Sequence, residues 1–166
     1  MAPSYGFLST HPPTQCGLAT FNAALASHLT TAGVSHGVVR VTTGTDDHRP
    51  GPGVVHTWPG RGVSGWRDAA VALNHFDVAI VQHEYGIYPG PNGRDVLLLL
   101  RSLAVPSIVV LHTVLTRPSA QQKVLLEQIV AAAGAVVTMT DIARDRLQGY
   151  PQSSSRWSRA IVGLKA

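Results

Sequence analysis

The sequence predicts an α/β domain of the doubly wound, Rossmann-like class, built on a mainly parallel sheet. Three observations carry this reading. Continuous apolar, β-rich runs occur at Phe76–Gln82 and Ser107–Leu111, as strands buried on both faces require. Such runs alternate with longer segments of helical character. Polar loops bearing His, Thr, Glu and Gly follow three of the strands, where open α/β sheets place their ligands.

The first strand is expected at Tyr5–Ser9, followed by a loop and a helix from Gly17 to about Thr31. In that helix Leu18, Phe21, Leu25 and Leu29 recur at spacings of three, four and four, one apolar face, and Gly33 ends it. A Val-rich strand covers Gly37–Thr42. A loop with Asp46, Asp47, Pro50, Gly51, Pro52 and Gly53 leads to a short strand, Val54–Trp58. Val63–His75 reads as helix with a thin polar face, and Phe76–Gln82 as a buried strand. A helix is expected over Gly93–Leu103 with Asn92 as its cap, then the second buried strand, Ser107–Leu111. Ser119 caps a helix running to about Ala133, and Ala135–Met139 forms the last strand. Thr140 or Asp141 caps a closing helix to about Gln148. The domain is thus assigned to residues 1–150, and residues 151–166 to an irregular, Ser/Arg-rich tail.

Length, charge and cysteine count narrow the function classes. At 166 residues the chain fits one domain with a sizeable core. The net charge of +4 comes entirely from residues 144–166, which hold five Lys/Arg against one Asp, whereas residues 1–143 hold eight Lys/Arg and eight Asp/Glu. A nucleic-acid reader shows a basic stripe on its folded face, and none is visible, so no nucleic-acid partner is expected. The basic tail has too few charges, and no clear amphipathic helix, for more than weak peripheral contact with an anionic membrane. Cys16 is the only cysteine, which excludes an internal disulfide and a Cys-based zinc cage. The N-terminus carries no basic region followed by an apolar core, and the most apolar window, 96–115, is broken by Arg101, Pro106 and His112. A cytoplasmic location is expected.

The chemistry-bearing residues gather in three loops. Thr10 to Cys16 precede Gly17, whose helix start offers free N–H groups and the positive end of the helix dipole. Gln82-His83-Glu84-Tyr85-Gly86 follows one buried strand, and His112-Thr113 follows the other. A histidine at one such position is more often a hydrogen-bonded structural residue; two at the ligand edge of one sheet bring a binding role level with that bland reading. No phosphate P-loop and no G-x-S-x-G nucleophile elbow is present. Gly60-Arg61-Gly62-Val63-Ser64-Gly65 fits the dinucleotide fingerprint, but it follows the third strand instead of the first. His83, Glu84 and His112 lack any recognised metal-ligand spacing.

Taken together, these loops resemble the N-terminal domain of the family 4 retaining glycosyltransferases, enzymes with two Rossmann-like domains (the GT-B fold). The resemblance rests on Pro12-Pro13-Thr14-Gln15-Cys16-Gly17-Leu18-Ala19-Thr20-Phe21 and on Phe76 through Gly86. It continues through Val109-Val110-Leu111-His112-Thr113-Val114 and Asp141 through Leu147, in the family's order. It implies a nucleotide-diphosphate sugar as donor, a carbohydrate or lipid acceptor, and no metal or other cofactor. It implies that Gly17 approaches the donor diphosphate and acceptor, that His83, Glu84 and Tyr85 help form the acceptor or reaction pocket, and that His112, the catalytic candidate, lines the reaction centre beside Thr113.

The family's second domain supplies a Glu-x7-Glu pair, whereas Glu84 and Glu127 are the only glutamates here. The resemblance therefore reads the chain as a truncated, frame-disrupted or split enzyme holding the acceptor-side half, weakly active or inactive alone. The face that would meet a second domain is expected to be covered by Trp157 of the tail or by self-association. The alternatives are an inactive remnant or an acceptor-binding module that needs a separate C-terminal half. A nicotinamide-dependent oxidoreductase is the third reading.

Overall fold

A computed structural model describes residues 2–42, 51–60, 65–150 and 161–163. Its elements are β1 (Tyr5–Ser9), α1 (Gly17–Thr31), β2 (His36–Thr42), β3 (Val54–Pro59), α2 (Gly65–Leu73) and β4 (Val78–His83). After a single 3₁₀ turn (Pro91–Gly93) come α3 (Asp95–Arg101), β5 (Ser107–Leu111), α4 (Ala120–Ala132), β6 (Ala135–Thr138), α5 (Asp141–Gln148) and β7 (Ile161–Gly163). The strands form one seven-stranded sheet in the order β3-β2-β1-β4-β5-β6-β7, and every neighbouring pair is parallel. The order reverses between β1 and β4, and a doubly wound sheet opens its ligand crevice at such a point.

The two faces are covered unequally. Leu8, Val39, Val81, Val109 and Val136 point into a large core built with α2, α3, α4 and α5. Phe7, Val38, Ile80 and Val110 point the other way, against Ala26, Leu25 and Leu29 of α1. Alternation along each strand thus fixes which face every later residue takes.

Caps behave as the sequence suggests at two helices. Ser119 and Gln122 form a reciprocal capping box at α4, and the Thr140 hydroxyl accepts from Ala143 N–H at 3.1 Å at α5. Asn92 does not cap α3. It sits inside the 3₁₀ turn at φ 56°, a left-handed conformation asparagine tolerates, and α3 starts at Asp95 with no side-chain cap. The fourth strand runs Val78–His83, two residues later at its start than expected, because Asp77 is drawn onto Ser4 and Phe76 onto two glycines. The irregular tail is corrected at Ile161–Gly163, which pairs with Val136–Thr138 as an edge strand. The start of the expected 63–75 helix, the middle of the dinucleotide-like motif (61–64) and Trp157 lie outside the described residues. Gly65 itself packs on Trp58, where a Cβ would come within 2.5 Å of the indole.

Phe76 explains why β1 and β2 each carry an early glycine. A Cβ on Gly6 would lie 2.6 Å from the Phe76 ring, and one on Gly37 also 2.6 Å. A Gly6→Val chain is expected to lose about 1–3 kcal/mol through overpacking, with part recovered by adding Phe76→Leu. Urea titration of both proteins checks this, and equal losses in the two would refute the contact.

Candidate functional site

At the carboxyl edge of the sheet, β1, β4 and β5 deliver the three loops singled out above. β1 is followed by Thr10, whose hydroxyl lies 3.3 Å from the sulfur of exposed Cys16. That sulfur also accepts the Ala19 N–H at 3.4 Å, so Cys16 serves one of the free donors of α1. Among the described residues a Cβ on Gly17 would meet nothing within 4 Å, so none of them demands a glycine there by packing. The first turn of α1 therefore has room for a ligand, with the helix dipole favouring negative charge.

β4 ends in Gln82 and His83, which take opposite faces. Gln82 follows Ile80 onto the α1 face; His83 follows Val81 into the larger core. Gly86 and Gly90, at φ 91° and 82°, then turn the loop so that Tyr88 returns beneath the strand. The Tyr88 hydroxyl donates to the Gln82 carbonyl at 2.5 Å, and its ring packs on Trp58.

His112 is fixed from three sides. Its backbone N–H donates to the His83 carbonyl at 3.1 Å, its Nε2 lies 2.8 Å from Gln82 Oε1, and Phe21 of α1 meets its ring edge-on at 5.0 Å. Beside it, Glu84 bridges two loops: Oε2 accepts the Thr113 hydroxyl at 2.5 Å and Oε1 accepts the Tyr85 N–H at 2.8 Å. Burial lowers the His112 pKa, and the Glu84 carboxylate works against that. At neutral pH this imidazole is therefore mostly neutral, able to accept or donate one hydrogen bond.

His83 is the outlier among the expected residues. It is 1% exposed, neither ring nitrogen has a partner among the described residues, and Tyr85 meets it edge-on at 5.2 Å. Burial, with His112 second, pushes its pKa down to about 4. The Tyr85 hydroxyl is also buried without a partner, and burial followed by Tyr150 and Glu84 raises it to about 12. The structure thus gathers His112, Thr113 and Glu84 into one hydrogen-bonded group, and sets His83 and Tyr85 as a second pair on the other side of β4. Gln82 and Phe21, which hold His112, were not among the expected site residues. A polar residue ending an otherwise apolar strand was the available signal for Gln82.

Among the described residues no group of three His, Cys, Asp or Glu side chains is placed to hold a metal, and no helix is long and apolar enough to cross a membrane. A separate groove of about 670 Å³ runs between α3 and α4, past Leu98, Gln121 and Val124, and contains none of the expected site residues. Chemistry, not volume, locates the candidate site at the strand ends.

No family model matches the chain, and no curated protein matches its sequence. Solved structures do resemble it. An α-glucosyltransferase in complex with UDP-glucose and DNA containing an abasic site superposes with a TM-score of 0.66 over 98% of this chain, at 13% identity. An α-glucosyltransferase in complex with UDP gives 0.63 over 93%, at 15% identity. The likeness establishes the fold. The chain covers 42% and 40% of those two proteins, so it corresponds in fold to about two fifths of a UDP-bound glucosyltransferase.

Proposed function

We propose that this chain is the acceptor-side half of a glycosyltransferase that moves a sugar from a nucleotide-diphosphate donor to a carbohydrate or lipid hydroxyl. The observation that carries the reading is a neutral, three-point-fixed His112 beside the Glu84–Thr113 pair, on the edge that also presents the open start of α1. In transfer, the bond from the sugar's anomeric carbon to the diphosphate oxygen breaks and a bond to the acceptor oxygen forms. Negative charge collects on the departing diphosphate, whose oxygen takes up the acceptor's proton. The N–H groups around Gly17 suit that charge without a metal, and His112, Thr113 and Glu84 suit sugar hydroxyls. His83 and Tyr85, with unpartnered buried polar atoms, suit the acceptor pocket.

A second reading is an acceptor-binding module that works together with a second half; the chain covers 42% of one glucosyltransferase neighbour. DNA stands in some of the neighbours' complexes; in this chain residues 1–143 are charge-neutral and the net +4 lies in residues 144–166, so the body alone gives a nucleic-acid acceptor little electrostatic footing.

The test follows amide and histidine resonances of the 166-residue chain during titration with UDP-glucose, UDP and NADP. UDP-glucose and UDP are expected to shift Gly17 and His112 signals, with no steady sugar transfer from the chain alone. Co-expression with a second domain that restores transfer selects the split enzyme, and His112→Ala then lowers the rate by about a hundredfold or more. Saturable NADP binding, or shifts confined to the α3–α4 groove, would overturn the proposal.

A further inference from the structure

A row of buried polar side chains crosses the α1 face of the sheet, among the apolar Phe7, Val38, Ile80 and Val110. Arg40 of β2 stands opposite Ser9 of β1, and the pairing of Leu8 with Val81 brings Ser9 level with Gln82 of β4. All three are 0% exposed, as is Asn22, which α1 lays over the same face. Among the described residues, Ser9 Oγ, Asn22 Oδ1 and Gln82 Nε2 have no hydrogen-bond partner. Each such atom costs about 1–3 kcal/mol, so folding stability does not account for the row. At one end of it, Gln82 Oε1 lies 2.8 Å from His112 Nε2.

A carbonyl oxygen can only accept. The neutral imidazole facing it must carry its hydrogen on Nε2, which leaves Nδ1 as a bare acceptor. No partner for Nδ1 is found among the described residues. Phe21 against the ring edge resists a ring flip, and the Tyr88 hydroxyl on the Gln82 carbonyl fixes the strand end from which the amide reaches. An amide turned the other way would present N–H to His112 and impose the opposite tautomer, so the two arrangements are distinguishable.

We propose that Gln82 is the positioning residue of His112, holding its neutral imidazole in the Nε2–H tautomer so that Nδ1 accepts a hydrogen bond from a ligand hydroxyl. The ligand class, a polyhydroxy compound such as a sugar, rests on the function proposed above; the tautomer does not.

The experiment is long-range proton–nitrogen correlation NMR on the chain labelled with ¹⁵N-histidine, with the His112 signal assigned by its loss in His112→Asn. At pH 8 the wild type is expected to show a protonated Nε2 and a bare Nδ1. Gln82→Leu is expected to mix the tautomers. Gln82→Glu keeps Nε2–H and raises the His112 pKa by about one unit or more, because a carboxylate replaces the amide. The charged and titratable groups acting around His112 are Glu84 and His83 from the end of β4, and the α1 contact, Phe21, carries no charge. A bare Nε2 in the wild type overturns the proposal even if no variant folds, and so does an unchanged tautomer ratio in a folded Gln82→Leu chain. If His112 shows the expected tautomer but UDP-glucose leaves it unmoved, the glycosyltransferase reading fails and the positioning role stands.

Discussion

Replacing Trp58 with alanine is expected to lower the unfolding free energy by about 3–5 kcal/mol. Trp58 lies near the end of β3 at 1% exposure and is among the largest fully buried side chains. It joins its strand to two other parts of the chain. Its ring packs at 5.5 Å on Tyr88 from the loop after β4, and the first residue of α2, Gly65, sits so near the indole that a Cβ would come within 2.5 Å. Few side chains lie near enough to fill the cavity, because Gly65 has none and Tyr88 is tied by its hydroxyl to the Gln82 carbonyl. In a domain of this size the loss corresponds to a melting temperature lower by about 10 °C. Urea and thermal unfolding measure it directly. Trp66→Ala is the control, since that ring is only partly buried and carries Arg67 over its face at 4.6 Å. A loss at Trp58 below about 1 kcal/mol, or no larger than at Trp66, would show that Trp58 is not the joint described. A folded Trp58→Ala chain should also show disturbed His112 resonances, since Tyr88 links the two through Gln82.

How far the sequence foretold this molecule depends on which residues carried the signal. β1, β5 and α1 fall at their expected limits because each is bounded by residues whose chemistry is local: Gly33 after α1, polar loops after each strand, capping groups at α4 and α5. The parallel sheet followed from apolar runs that only burial on both faces explains. The errors arise where a distant contact decides. Phe76 reads as strand, yet it belongs to the glycines of β1 and β2, two crossovers away. Asn92 reads as a cap, yet Gly90 and Gly93 wind it into a left-handed turn. Residues 161–163 look too short to matter, yet an open edge at β6 accepts them. In the site, the loops were legible but their division was not. Gln82 and His83 are adjacent in sequence and part company in space because a strand alternates, so His112 gains Gln82, and His83 is left with Tyr85.

That division makes His83 the source of a large acid sensitivity. Burial depresses its folded pKa to about 4, against about 6.5 in the unfolded chain. Between those values the unfolded chain binds the extra proton, so stability rises with pH. The contribution is fully present above pH 6.5 and is lost as pH falls through 4, amounting to about 3 kcal/mol over that window. His11 and His112, lowered chiefly by burial, act with the same sign. Urea unfolding at pH 7.5 and 4.5 should therefore show a steep loss in the wild type. His83→Phe, which keeps a ring beside Tyr85 and cannot be protonated, should flatten the dependence by most of that amount and leave the smaller share of the other two histidines. Equal pH dependence in both proteins would sink the assignment. The same variant also tests why the residue is there. A histidine with both nitrogens buried and unpartnered weakens the free domain, and phenylalanine removes that penalty. If His83→Phe is more stable at pH 7.5 but no longer answers a sugar ligand, the imidazole serves binding at the expense of folding. If stability rises and the ligand response is unchanged, His83 has no part in the acceptor pocket, and the site contracts to Gly17, Glu84, His112 and Thr113.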